Sequence, residues 1–438
     1  MVKRHSRRAS LALIGVAALV AVGCTPVDDS NKINGVTVDY GVTAEPCPEA
    51  INKDNGCIYL GVLSDLTEGP FAALAVPITD GQRAFFKRVN DEGGIGGFDI
   101  DIDTNTRDTK YQAQEHAAQY RQISGNILAI AQSLGTVNTE SVLDDMDTNN
   151  IIAVPASWWS GYAFPENDKG LILESGYSYC VEAMGALDWY TEKRKEPASV
   201  QAVGYPGDFG GDSQAGVKLW ADHNGVKLND YIPTGPNQQV GDQSAVIQKI
   251  LQDKPEVVML AVGPAETAQI VGGLAAQGFR GQFLGSIPTW NPALLGTAAA
   301  PALEAMYLNI QPWQNWDADS VAVKAAKAST NGKLPANQGY LVGWYLSYPM
   351  LAALESAIDK GDLTRAGLRA SLDGLVVDYE GGMPNQTFSG KPVDFSAHAI
   401  YVNAPDAQTE LGLKSLDGPF VGKSFKEIGY DKACSASS

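Results

Sequence analysis

Asn90-Asp91-Glu92-Gly93-Gly94-Ile95-Gly96-Gly97-Phe98-Asp99-Ile100-Asp101-Ile102-Asp103 holds a helix end, a glycine turn and a strand start in one short run. Upstream, Ala84, Phe85 and Val89 sit at helical spacing, and Thr79 or Asp80 is placed to cap that helix. The glycines can take the left-handed conformation that ends a helix. Phe98, Ile100 and Ile102 then alternate with Asp99, Asp101 and Asp103, which predicts a strand with one buried and one wet face. The three aspartates share that wet face in a row, so they read as a solvated edge and not as a metal cluster.

The same alternation of strand and helix runs outward from there. Upstream, Ile58 to Leu63 is a short apolar run, as for a buried strand. Downstream come a helix over 111–123, a strand over 127–131, a helix over 139–148 and a strand over 151–155. After Gly176 the pattern restarts. Helices are expected near 180–193, 211–224, 244–252 and 265–277, with strands at 199–204, 257–262 and 282–286. Two further helices fall near 338–359 and 363–372. Strands alternating with helices of this length predict parallel sheets covered on both faces. The chain is long enough for two such units.

At the start, Lys3, Arg4, Arg7 and Arg8 precede an apolar run, Leu11 to Val22, and then Gly23-Cys24. A basic region, a short apolar region and a small-residue cut site make residues 1–23 a signal peptide. Val20-Ala21-Val22-Gly23-Cys24 resembles a lipobox, so Cys24 is expected to be diacylated. Ser6-Arg7-Arg8-Ala9-Ser10-Leu11 also resembles a twin-arginine export signal. Two acyl chains hold a protein on a membrane stably, whereas one does so only marginally. A Cys24→Ser chain should therefore leave the membrane fraction in high salt. Residues 24–57 are polar, carry several prolines and read as a tether. Removing residues 1–23 moves the net charge from -18 to -22, with 28 basic against 50 acidic residues. So acidic a surface repels nucleic-acid phosphates and excludes a nucleic-acid partner.

Beyond Cys24 there are four cysteines, Cys47, Cys57, Cys180 and Cys434. An even number in an oxidising compartment implies two disulfides, and three pairings are open. Cys47 with Cys57, closing a short loop, and Cys180 with Cys434, tying down the C-terminus, is the favoured set.

Asn90-Asp91-Glu92-Gly93-Gly94-Ile95-Gly96-Gly97 resembles the N-x-x-G-G-I-x-G signature of type I periplasmic solute-binding proteins, the leucine/isoleucine/valine-binding receptors of ABC transporters. Leu66-Thr67-Glu68-Gly69-Pro70-Phe71-Ala72 is similar to their L-T-G-P-x-A loop, with Glu68 as one extra residue. Gly135-Thr136-Val137-Asn138-Thr139 and Val154-Pro155-Ala156-Ser157-Trp158 resemble the family's ligand-binding turns, and Asp208-Phe209-Gly210 and the run from Gly278 to Gly285 match landmarks of its second lobe. The resemblance spans about Ile58 to Val402. It implies two doubly wound α/β lobes joined by three hinge crossings, with ligand held in the cleft. The lobes would comprise 58–174 with 308–375, and 175–307 with 376–430. The crossings would fall near 174–176, near 307–311 and after Leu375.

In that arrangement ligands bind at the carboxyl ends of the strands. Thr136, with the backbone of Ala156 and Trp158 and the neighbouring Ser157, would hold the carboxylate end of a ligand, as the resemblance implies. Amino-acid binders of the family place an acid after the strand matching 282–286, and here Ile287 stands there. Gly263-Pro264 replaces their usual aromatic. Glu266 or Glu68 would have to substitute, or the ligand carries no ammonium. Phe71, Leu74, Phe209, Trp290, Tyr340 and the pair Trp158-Trp159 would make an aromatic-walled cleft. The expected cargo is a small carboxylate or amide with an apolar body, with a hydrophobic amino acid next. The expected partners are that ligand, a membrane ABC permease and, through Cys24, the membrane, with the receptor itself a monomer.

No catalytic residue, metal site or cofactor is expected. The histidines, His5, His116, His223 and His398, are scattered, and no C-x-x-C, H-E-x-x-H, G-x-S-x-G or Walker-type loop occurs. A clamshell that senses ligand for a receptor or regulator is the alternative, and a structural role in the envelope is third.

Overall fold

The computed structural model describes residues 31–436, apart from Asp208 and Ser396. The signal peptide and Cys24 lie outside the described residues. Among the described residues, no helix is long and apolar enough to cross a membrane.

Two sheets organise the chain. In the first, strand Gly56–Ser64 runs parallel to Phe98–Asp108 on one edge. On its other edge it runs parallel to Ala129–Leu134, which is followed by Ala153–Ala156. In the second, Ile232–Pro233, Ser199–Gly204, Val257–Ala261, Gln282–Gly285 and Tyr307–Gln311 are parallel neighbours in that order. Ala399–Pro405 and Leu413–Val421 extend it antiparallel. Strands such as Ser199–Gly204 are buried at every position, because helices cover both faces. The run Tyr307–Gln311, expected to cross between lobes, is a strand of the second sheet, so the chain turns back only after it.

The helix Ala72–Asp91 starts well before Thr79, which is buried in mid-helix and donates to the Ala75 carbonyl. Pro77 lies inside this helix and cannot donate to the carbonyl of Ala73. Asn337 Nδ2 donates to that carbonyl instead, at 2.7 Å. The helix packs closely against Gly339–Asp359. A Cβ at Gly343 would stand 1.9 Å from the Ile78 carbonyl oxygen, and one at Gly81 would stand 1.9 Å from that of Tyr340. The two backbones touch because glycine has no side chain to hold them apart.

Residues 31–57 are not a loose tether. Strand Val42–Thr43 pairs with Gly56–Ser64. Val36–Val38 pairs with Lys32–Ile33 and with Asp362–Leu363, and Val36, Val38 and Val42 are buried. The Cys47–Cys57 and Cys180–Cys434 disulfides are both formed, as favoured from the sequence. Asp99 anchors the Cys47–Cys57 loop and is fully buried, against the expected wet face. Its carboxylate accepts from the backbone N–H groups of Ile51 and Asn52, at 3.1 and 2.9 Å. It also accepts from the side-chain amides of Asn52 and Asn55, at 2.8 and 2.9 Å. Only Asp101 and Asp103 keep the solvated role, Asp103 in an ion pair with Arg83.

The segments between the sheets are stitched together. Gln386 Nε2 donates to the carbonyls of Glu174 and Gly176, at 3.0 and 3.4 Å, and its Oε1 accepts from Tyr379 at 2.9 Å.

Candidate functional site

A cavity opens where the carboxyl ends of the two sheets face each other. From the first sheet's side, Gly135 follows strand Ala129–Leu134, and Ala156, Ser157 and Trp158 end strand Ala153–Ala156. From the second, Ile287, Pro288 and Trp290 follow strand Gln282–Gly285, while Asn309 and Gln311 project from Tyr307–Gln311. Phe71, Leu74, Ala75 and Ile78 come from the helix Ala72–Asp91 and its entrance, and Gln338, Gly339 and Val342 from the start of the helix facing it. This is where helix starts converge in an open α/β sheet. The cavity volume is about 60 Å³. That is room for roughly four to six waters at ~10–15 Å³ each, so the site is shaped for a compact group.

Local structure fixes these walls. Asp65 accepts from the backbone N–H of Gly69 and of Phe71, both at 2.9 Å, which shapes the loop presenting the Phe71 ring. Trp158 donates its indole N–H to the Ser175 carbonyl at 2.7 Å and lies 5.7 Å from the ring of Trp313. The wall is thereby attached to the segments that follow strands Ala153–Ala156 and Tyr307–Gln311. Trp290 stacks on Tyr307 at 5.7 Å. Gly135 has φ +94°, and a Cβ there would meet Tyr111 at 2.8 Å, so this turn needs glycine.

Phe71 divides the cleft. Its ring meets Tyr111 at 4.8 Å, Tyr205 at 6.3 Å and Phe209 at 6.2 Å, joining rings from both lobes. Outside this aromatic cluster lies a wetter hollow of about 610 Å³, bordered by Glu68, Lys110, Gln112, Thr234 and Gln239.

Residues 58–402 match the family model described as Periplasmic binding protein. The chain belongs to that family. Its fold is similar to the fatty acid ABC transporter substrate-binding protein from Thermomonospora curvata, with 25% identity, TM-score 0.79, and coverage of 91% of this chain and 98% of that one. It is also similar to a branched chain amino acid ABC transporter structure from Thermus thermophilus with bound valine, at 16% identity and TM-score 0.70, covering 86% and 99% of the two chains. A Rhodopseudomonas palustris solute-binding protein in complex with 4-hydroxybenzoate matches at 14% identity and TM-score 0.65, covering 82% and 96%. No curated protein matches the chain. The two-lobed type I fold read from the sequence is thereby established, and membership of the family implies an extracytoplasmic location.

In this periplasmic binding protein, none of the described residues that line the inner cavity carries a charge. The two acids held in reserve do not reach it. Glu266 is turned to Tyr205 OH at 2.9 Å and the backbone N–H of Asn237 at 2.8 Å. Glu68 pairs with Lys110 at 2.6 Å in the outer hollow. A third acid, Glu182, stands directly behind Ile287 and accepts its N–H at 3.1 Å. Burial pushes the Glu182 carboxyl up to about 8, so it is mostly neutral at pH 7. The folded chain therefore holds a proton that the unfolded chain releases above about 4.5. Stability should fall as pH rises from about 4.5 to about 8. Glu182→Gln should flatten that fall, with its gain in thermal midpoint growing toward the upper end of the window.

Several expectations need correction. Phe71, Leu74, Ala156, Ser157, Trp158, Phe209, Ile287 and Trp290 line the cavity, but Thr136, Pro264, Glu266 and Tyr340 do not. The turn at Gly135 presents that glycine, and the Thr136 hydroxyl is buried beside it, outside the lining. Pro264 opens a helix behind Tyr205. Tyr340 points back to Ser329, 2.7 Å away, and its helix shows Gln338, Gly339 and Val342 to the cavity instead. Trp159 serves the C-terminal segment, donating to Ser435 at 3.2 Å. Tyr111, Tyr179, Asn309, Gln311 and Gln338 were missed, because no local pattern marks a polar or aromatic residue that faces a cleft built from distant segments.

Proposed function

We propose that this protein is the ligand receptor of an ABC importer, held at the outer face of the membrane through Cys24. Its cargo is a small carboxylate or amide with an apolar body, bound in the inner cavity, rather than a hydrophobic amino acid. The observation that carries this reading is that, among the described residues, none with a charge lines the cavity walled by Phe71, Trp158, Phe209 and Trp290. A buried ammonium without a counter-charge costs several kcal/mol. Of the ligands named for the relatives, a fatty acid and 4-hydroxybenzoate fit an apolar body with one polar end, whereas valine also carries an ammonium.

Phe71, Ala156 and Trp158 on one side and Ile287 and Trp290 on the other let one ligand touch both lobes. It favours the closed state by its differential affinity for it. A membrane permease reads that state, and the anchor keeps the receptor within its reach. Calorimetry against leucine, its deaminated analogue 4-methylpentanoate and 4-hydroxybenzoate tests the cargo. One of the two ammonium-free acids, or the carboxamide of the first, should bind more tightly than leucine. Tight leucine binding with silence from both acids and from the amide would sink the reading.

A further inference from the structure

Two side chains in the inner cavity lack partners for one polar atom each. Gln338 is 9% exposed and Trp290 is 3% exposed, and both line the cavity. Gln338 Nε2 donates to the Leu411 carbonyl at 3.1 Å. That bond fixes which way the amide faces, because the reverse orientation would set two oxygens against each other. Gln338 Oε1 is then an acceptor with no donor, and the Trp290 indole N–H is a donor with no acceptor. Of the buried side-chain atoms without a partner among the described residues, these are the two on residues that line the cavity, where whatever fills it can answer them.

The pair also spans the cleft. Gln338 immediately precedes the helix Gly339–Asp359, which packs on the first lobe's Ala72–Asp91 helix, whereas Trp290 follows a strand of the second sheet. The Leu411-Gly412 turn brings them toward each other. Its Leu411 carbonyl takes the Gln338 amide, and a Cβ on Gly412 would lie 3.3 Å from Trp290.

We propose that the inner cavity selects a neutral carboxamide head group, whose C=O accepts from Trp290 and whose N–H donates to Gln338. This rests on the cleft being the ligand site and narrows the cargo proposed for it. A carboxylate offers only acceptors, so it leaves Gln338 Oε1 unanswered and sets an anion where no lining cation offsets it. A zwitterionic amino acid buries two charges in a cavity that holds none. The amide supplies one donor and one acceptor without charge, and by bridging the two walls it also stabilises closure.

Calorimetry at pH 7 of the full chain with 4-methylpentanamide, 4-methylpentanoate and leucine tests this, since the three share one apolar body. The amide should bind at least roughly tenfold tighter than either of the others. Trp290→Phe keeps the ring stacked on Tyr307 and removes the donor, and Gln338→Met removes the acceptor. Each should weaken amide binding roughly tenfold. Trp290→Phe should keep a cooperative thermal transition in the unliganded protein, lowered by no more than a few degrees for the smaller ring, which separates lost recognition from lost folding. Tighter binding of 4-methylpentanoate or leucine than of the amide overturns the head-group assignment and leaves the cleft as the site. Amide affinity unchanged in Trp290→Phe overturns it too. Silence from all three compounds overturns both the assignment and the reading of the cleft.

Discussion

A Gly343→Val chain should lose about 3 kcal/mol or more of stability, the upper range for overpacking a core. A Cβ at this position would lie 1.9 Å from the Ile78 carbonyl oxygen, 2.8 Å from its carbon and 3.0 Å from the Gln82 nitrogen. All three atoms belong to the backbone of a neighbouring helix, so no side chain can swing aside. Relief requires the helices Ala72–Asp91 and Gly339–Asp359 to separate along their whole contact. That contact is also made at Gly81 and at Gly339, where a Cβ would stand 2.5 Å from the Leu74 carbonyl. The thermal midpoint should fall by roughly 6 °C or more, at about 2–4 °C per kcal/mol for a lobe of this size. Ligand binding should weaken as well, since Ala75, Ile78, Gly339 and Val342 form one wall of the cavity. Gly211→Ala is the control. It lies within a helix, with nothing near its Cβ, and should be neutral or stabilising by about 0.5–1 kcal/mol.

Asp212→Ala should cost about 3–5 kcal/mol, the range for breaking a buried, charge-assisted network. The fully buried Asp212 carboxylate accepts four hydrogen bonds. Two come from the backbone N–H groups of Ser160 and Cys180, at 3.1 and 3.0 Å. The others come from the hydroxyls of Ser160 and Ser435. Ser160 lies two residues after the wall residue Trp158, Cys180 opens the helix Tyr179–Lys193, and Ser435 belongs to the C-terminal segment held by Cys180–Cys434. Alanine leaves all four donors without an acceptor. The disulfide should survive, as mass spectrometry of the unreduced protein would show. The thermal midpoint and ligand affinity should fall together, because the loop carrying Trp158 loses its tie to the second lobe. Asp212→Asn should fall between, since its oxygen still accepts while its amide nitrogen faces donors. An Asp212→Ala midpoint equal to that of the parent would refute the network's role.

Much of the architecture was readable from short-range pattern. Ser199–Gly204 has the bounds expected of it, because an apolar run between Pro197 and Pro206 has few other ways to be buried. The helix over Ala72–Asp91 was misjudged at its start. Pro77 argues against a helix locally, and the Asn337 amide that replaces its missing bond lies 264 residues away in the chain. Asp99 was misjudged for the same kind of reason. Alternation says which face a residue points to, but not that a loop closed by Cys47–Cys57 folds over that face and supplies four donors.

By itself, then, the sequence determined the α/β rhythm, the family resemblance that implies two lobes, and the lack of an acid at Ile287, and it favoured the disulfide pairs that form. Each depends on residue type at fixed spacing along the chain. Only the tertiary structure decided which residues face the cleft. It replaced Thr136 and Tyr340 with Gly135 and Gln338, paired Val42–Thr43 with the first sheet and Val36–Val38 with Asp362–Leu363, and set the buried Glu182 behind Ile287. Those outcomes depend on where a helix rotates and which distant backbone it meets, and that is settled by packing across the whole chain.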